Sequence, residues 1–159
     1  MARKRVKIEG FSRVAILKNG EMVGDSGLTG PNQVTNLGFL DYLVFLLGAS
    51  AGSSQVGFVA LGTGAAPASN ATTLPGEIMA STQRKAVTFG SVASTTAQFT
   101  ATFSSSNSFV TATYNISNIG LFALTTTANQ IFCGNTYASS QLNTNQDCQI
   151  TYQIRFSAS

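Results

Sequence analysis

The only thiols in this sequence are Cys133 and Cys148, and its only carboxylate side chains are Glu9, Glu21, Asp25, Asp41, Glu77 and Asp147. There is no histidine. Without an imidazole neither a serine triad nor a thiol–imidazole pair can be assembled, and zinc sites of the usual His/Cys composition go with them. A glycosidase pair needs two carboxyl groups roughly 5–10 Å apart across one bond. The six carboxylates here are scattered, so only a coincidence of folding would pair them. Gly62-Thr-Gly-Ala-Ala-Pro67 invites comparison with a dinucleotide fingerprint, but a proline stands where the third glycine belongs and no helix of useful length follows. It reads as a turn. The sequence thus points to a protein that is not an enzyme, with no catalytic residue, no cofactor and no metal site to name.

The two cysteines are separated by fourteen residues, 134–147, which read as a polar loop between two strands. If those strands pair, the sulfurs face each other at the base of a hairpin. A disulfide there would add about 3 kcal/mol in the chain-entropy model. Two buried reduced thiols are the alternative, because the charged N-terminus is not followed by the apolar run of a secretory signal. For the same reason the acceptor patterns Asn70-Ala-Thr72 and Asn115-Ile-Ser117 read as chance matches.

Charge is the next feature with chemical meaning. Six of the nine basic residues, Arg3, Lys4, Arg5, Lys7, Arg13 and Lys18, lie in the first eighteen positions, and the remainder holds three basic and five acidic residues. This asymmetry predicts an attachment arm, Arg3, Lys4, Arg5 and Lys7, for an acidic protein surface or nucleic acid. A solvated basic terminus is the alternative.

The elements that would position these groups are mostly strands. Two β-compatible runs, 11–17 and 22–23, flank Asn19-Gly20, the type I′ hairpin signal. Residues 24–32, dense in Gly, Asp, Ser and Pro, read as a linker. Residues 37–47 predict the one convincing helix, with Thr35 or Asn36 as cap and Gly48 as stop. It is apolar almost all round and about half the length needed to span a bilayer, so burial is expected. A buried strand follows at 56–61, and Leu74-Pro-Gly-Glu-Ile78 is read as the start of a helical turn. Beyond Arg84 the pattern is β: Ala97, Phe99, Ala101 and Phe103 alternate with polar residues, as do Ile150, Tyr152, Ile154 and Phe156. Further strands are expected at 109–116, 119–124 and 130–133. Cys148 shares the parity of the last set and should point inward, and Phe156→Ala should cost about 3–5 kcal/mol as a core truncation.

At 159 residues the chain is long enough for one domain. The expected fold is mainly β: an antiparallel β-sandwich or jelly-roll-like domain with one buried helix and an N-terminal arm or hairpin. Its parts are a basic arm with hairpin and linker over 1–31 and a β-rich domain over 32–159. Only 9 % of residues are charged, against roughly 25 % in an average soluble domain. So weakly charged a surface fits a chain packed against neighbours, and equally a low-charge secreted β domain.

Asn32-Gln-Val-Thr-Asn36-Leu-Gly38, the apolar segment after it, Ala60-Leu-Gly-Thr-Gly64, Thr73-Leu74 with Glu77-Ile78 and Arg84, and Asn118-Ile-Gly-Leu-Phe122 together resemble small structural proteins of tailed bacteriophage virions. The resemblance spans roughly residues 32–122. It departs from that pattern at Asn118-Ile-Gly120, where an acidic residue often precedes Gly-Leu-Phe. It implies a β-rich head decoration, head fibre or tail protein without cofactor or catalysis. The function expected is a capsid decoration or cement subunit that stabilises a phage head through lattice contacts. A tail or filament subunit polymerising through heterologous contacts is the first alternative. A host- or carbohydrate-binding β module is the second, with the absence of tryptophan against it. Partners would be further copies of the chain and a major capsid or tail protein. Nucleic acid met through the arm would be secondary, and no membrane is implied. The place of action would be the virion, assembled in the host cytoplasm.

Overall fold

The computed structural model describes residues 6–32, 34–38, 42, 55–78, 84–107, 109–125 and 131–158. They form two antiparallel sheets. The ten strands are β1 (Val6–Lys18), β2 (Glu21–Asp25), β3 (Thr29–Asn32), β4 (Phe58–Gly62), β5 (Lys85–Ala86), β6 (Thr88–Ala93), β7 (Thr96–Phe103), β8 (Tyr114–Phe122), β9 (Ile131–Leu142) and β10 (Asp147–Ala158). The larger sheet runs β2-β1-β10-β7-β6, with β3 also on β1; the smaller runs β5-β4-β8-β9.

The expected hairpin forms, with Asn19 (φ 53°) and Gly20 (φ 83°) supplying the positive φ values that a type I′ turn needs. It is not a separate arm. β1 pairs with β10 from Val6↔Ala158 to Leu17↔Asp147, and part of the supposed linker is β3, paired with β1. The division of the chain at residue 31 therefore gives way to one sheet that includes both ends. A strand of alternating parity has two edges to satisfy, and the C-terminal strand takes the one the hairpin leaves open.

Period-2 alternation sets the faces as expected over most of β7 and β10. Phe99, Phe103, Cys148, Ile150, Tyr152 and Ile154 are buried, while Thr100, Thr102, Gln149 and Thr151 lie on the opposite face. Phe156 is the exception: it shares the inward parity but is 38 % exposed, because it sits near the end of β10 opposite Ile8, beyond the buried part of the sheet. The core truncation cost expected there is withdrawn. Val14 and Ile16 join these residues, and from the smaller sheet Val59, Leu61, Ile116, Ile119, Leu121 and Leu142 enter the same hydrophobic cluster. Fully burying each such side chain is worth about 1.5–3 kcal/mol.

The smaller sheet is apolar on its second face too. Ala60, Phe122 and Ile131 pack there with Leu74 from the segment after β4. Burial on both sides explains why 58–62 reads as an unbroken apolar run rather than an alternating one.

Three further expectations are corrected. The strands expected at 109–116 and 119–124 are one strand, β8, preceded by a single 3-10 turn at Ser105–Asn107; Ser117-Asn118 looks like a break but is absorbed by a register shift between Ile116 and Asn118. The polar loop 134–147 is mostly strand, since β9 runs to Leu142. Its polar side chains are used inside the fold: Asn135 Nδ2 donates to Ser12 Oγ (3.1 Å) and to Thr29 O (3.0 Å), joining β9 to β1 and β3. Residues 74–78 form a turn through Gly76 (φ 63°), with Glu77 bridged to Gly62, and no helix begins. The helix expected over 37–47 falls largely outside the described residues. Thr35 Oγ1 accepts the Gly38 N–H at 3.0 Å, the bond expected of its cap, and Tyr42 is buried against Phe132 with ring centroids 5.0 Å apart.

Candidate interaction surfaces

Of the predicted attachment arm, Arg3, Lys4 and Arg5 lie outside the described residues. Lys7 stands on β1 with its ammonium 2.6 Å from Glu9 Oε1. Arg13 makes a two-pronged contact with Asp25, Nε to Oδ1 at 2.9 Å and Nη2 to Oδ2 at 2.6 Å, tying β1 to β2. That contact, with help from the Gly27 N–H, holds the Asp25 carboxyl below its ordinary range. Exposed pairs of this kind contribute little stability. They do mean that Lys7 and Arg13 each carry a carboxylate partner rather than presenting bare charge.

The cysteines do not form the hairpin staple. Cys133 lies on β9 and Cys148 on β10, strands of different sheets, and both thiols are free and fully buried. β9 pairs with β8 instead, and both edges of β10 are taken by β1 and β7. Burial pushes both thiols up to about 12; for Cys133 a hydrogen bond with the Tyr152 hydroxyl acts weakly the other way. A thiol in that state is a small apolar core residue, not a nucleophile.

Several residues that carry the resemblance lie along the smaller sheet, with Asn118 paired to Gly62 and Phe122 to Phe58. Asn118, fully buried on β8, donates its amide to Ala65 O and Pro75 O, both at 2.8 Å, clipping the 63–67 and 74–77 segments together. Ser117 Oγ donates to Gly64 O at 2.9 Å. Gly64 must lack a side chain, because a Cβ there would stand 2.5 Å from Pro75 O. Glu77 accepts two bonds from Arg84, Nε to Oε1 at 2.7 Å and Nη2 to Oε2 at 3.1 Å, and the guanidinium also lies 3.4 Å over the Phe122 ring. The Arg84 side chain is only 1 % exposed. The sequence shows these residues as separate motifs and not as a contact; the signal for the contact is an isolated Glu77 seven residues before Arg84-Lys85 in an otherwise nearly uncharged stretch.

Among the described residues no three His, Cys, Asp or Glu side chains gather as metal ligands, and no helix is long and apolar enough to cross a membrane. An open groove of about 480 Å³ between β5 and β7 is lined by Thr88, Thr100, Thr102, Thr151, Gln149 and Lys85, with no carboxylate or aromatic ring among its lining residues.

What the surface does offer is apolar side chains in the open at both ends of the larger sheet. On β2, Met22 (54 % exposed) and Val23 (53 %) stand side by side in the open, where the pairing of β2 with β1 shifts register and leaves Val23 as the extra residue. On β6, Phe89 (63 %) meets the Phe99 ring at 5.6 Å yet stands mostly in solvent, and Val92, further along the strand, is exposed too. Exposed apolar groups grouped on edge strands mark contact sites for other proteins. Comparison with protein-family models, with curated proteins and with solved structures finds no match.

Proposed function

We propose that this chain is a structural subunit of a virus particle, a decoration or cement protein of a tailed-phage head. It acts by covering and bridging other protein surfaces. The observation that carries the reading is the exposed apolar side chains on the two terminal strands of one sheet, Met22 and Val23 on β2 and Phe89 and Val92 on β6, in a chain with only 9 % charged residues. Two features support it. Within the segment that resembles phage structural proteins, Asn118 holds the 63–67 and 74–77 turns together, a structural use of a motif residue. The two sheets, sharing one hydrophobic cluster, read as a β-sandwich, a rigid unit suited to repetition on a lattice.

The mechanism is mass action: contacts available only on an assembled shell lower its free energy relative to free subunits. The experiment is sedimentation of the purified chain with empty shells of the corresponding virus, followed by heating of the decorated shells. Saturable co-sedimentation and a raised shell-melting temperature are expected. A chain that stays in the supernatant at every ratio overturns the proposal.

A further inference from the structure

We propose that β6 is a self-association edge, along which two copies of the chain pair antiparallel about a two-fold axis near Gly90 and join their larger sheets into one. The inference rests on the reading of the chain as an assembling subunit and names the first partner of that subunit, a second copy of itself.

β6 ends the larger sheet, and no described strand pairs with the far edge of residues 88–92. In an antiparallel ladder alternate residues turn their N–H and C=O groups outward, so this edge presents donors and acceptors in the pattern that an identical antiparallel strand satisfies. Monomeric proteins guard such edges with lysine, proline, bulges or a cover. The other edges here are guarded. β2 is irregular where its pairing with β1 shifts register at Val23, and it carries the charged Glu21 and Asp25 on either side of that point. Like charges directly opposite destabilise a strand pair. β5 carries Lys85, and β9 is met by Val34 at Cys133 and by Thr29 at Asn135.

β6 differs. Residues 86–146 contain no Asp, Glu, Lys or Arg, so self-pairing opposes no like charges. The strand has no proline, and its single register shift, between Ser91 and Ala93, falls at the far end and leaves 88–91 regular. Phe89, mostly in solvent, supplies the apolar area that pairing would remove from water. Gly90 has open space where a side chain would stand, so a substitution there can be made without a clash inside the monomer.

Sedimentation equilibrium of the full chain tests the proposal at concentrations up to about 100 μM, where a micromolar dimer is nearly complete. Wild type is expected as a dimer. Gly90→Lys, which places two ammonium groups near the axis, should weaken it by at least about 100-fold. Gly90→Ala, uncharged and in open space, should keep it. Should Gly90→Lys fail to fold, Gly90→Cys decides: mild oxidation should link the copies rapidly at residue 90 and only slowly in Met22→Cys, while Cys133 and Cys148 stay buried. A wild-type monomer at the highest concentration, a dimer indifferent to Gly90→Lys, or equal cross-linking at 22 and 90 overturns it. A monomer that still decorates shells would remove this inference and leave the proposed function standing. A β6 dimer that ignores shells would do the reverse.

Discussion

Replacing Asn118 by alanine tests whether the resemblance motifs are a structural lock. Its amide nitrogen is the shared donor to Ala65 O and Pro75 O, each at 2.8 Å, and its side chain is fully buried between them. Alanine removes both bonds, and an interior carbonyl left without a donor costs about 1–3 kcal/mol. Ala65 is an exposed residue whose carbonyl can recover a water, so the lower part of the range applies to it. The expected total is about 2–3 kcal/mol, a sizeable share of the roughly 5–15 kcal/mol that holds a domain together. For a chain of this length that is a fall in Tm of roughly 4–12 °C, at about 2–4 °C per kcal/mol. Asn118→Asp should be worse than alanine at neutral pH, because it turns a carboxylate toward two carbonyls in a buried place. Urea denaturation followed by circular dichroism is the assay, with an unchanged m-value showing that the same surface unfolds. Asn115→Ala, an exposed position on the same strand, is the control and should stay within about 0.5 kcal/mol of wild type. If Asn118→Ala unfolds at the same urea concentration as Asn115→Ala, the amide does not hold these turns and the structural reading of the motifs fails.

Glu77→Gln leaves the Arg84 guanidinium buried beside a neutral partner and should cost about 3–5 kcal/mol by the same urea assay. Ile154→Ala should cost about 2–5 kcal/mol as a core truncation, while Phe156→Ala, at a side chain 38 % exposed, should cost below about 2 kcal/mol. Cys133 and Cys148 should resist a thiol reagent in native protein and react together on denaturation. Their folded pKa is raised to about 12, whereas in the unfolded chain it lies near 9. Above pH 9 the unfolded state therefore loses protons that the native state keeps, so stability should decline from pH 9 towards 12 by up to about 1.4 kcal/mol per pH unit per thiol, read as Tm against pH. Tyr137 and Tyr152, raised by burial, act in the same direction at higher pH.

Where a local rule decided the structure, the sequence was enough to read it. Asn19-Gly20 marked its hairpin through the φ values those residues tolerate, and the alternation through Ile150, Tyr152 and Ile154 marked a buried face. Reading failed where polar side chains are satisfied by distant parts of the chain. Asn135 looked like loop until its partners Ser12 and Thr29, more than a hundred positions away, are known, and Asn118 looked like a strand break until its two carbonyl acceptors are. Strand partners were equally hidden. Nothing local says that β9 joins β8 and not β10, and the proposed cysteine bridge failed on that point alone. Of the surface sites, Phe89 and Val92 were legible only as β-strand residues, because exposure at a sheet edge depends on which strand comes last.

Electron cryomicroscopy of particles isolated from cells that produce this chain tests the central proposal most directly, with a parallel preparation in which the gene is deleted. The account predicts a β-rich density repeated on the shell lattice that fits the two-sheet fold and is missing from the deletion particles, whose shells melt at lower temperature. Identical particles in both preparations, with the chain recovered only from the unassembled fraction, would contradict it.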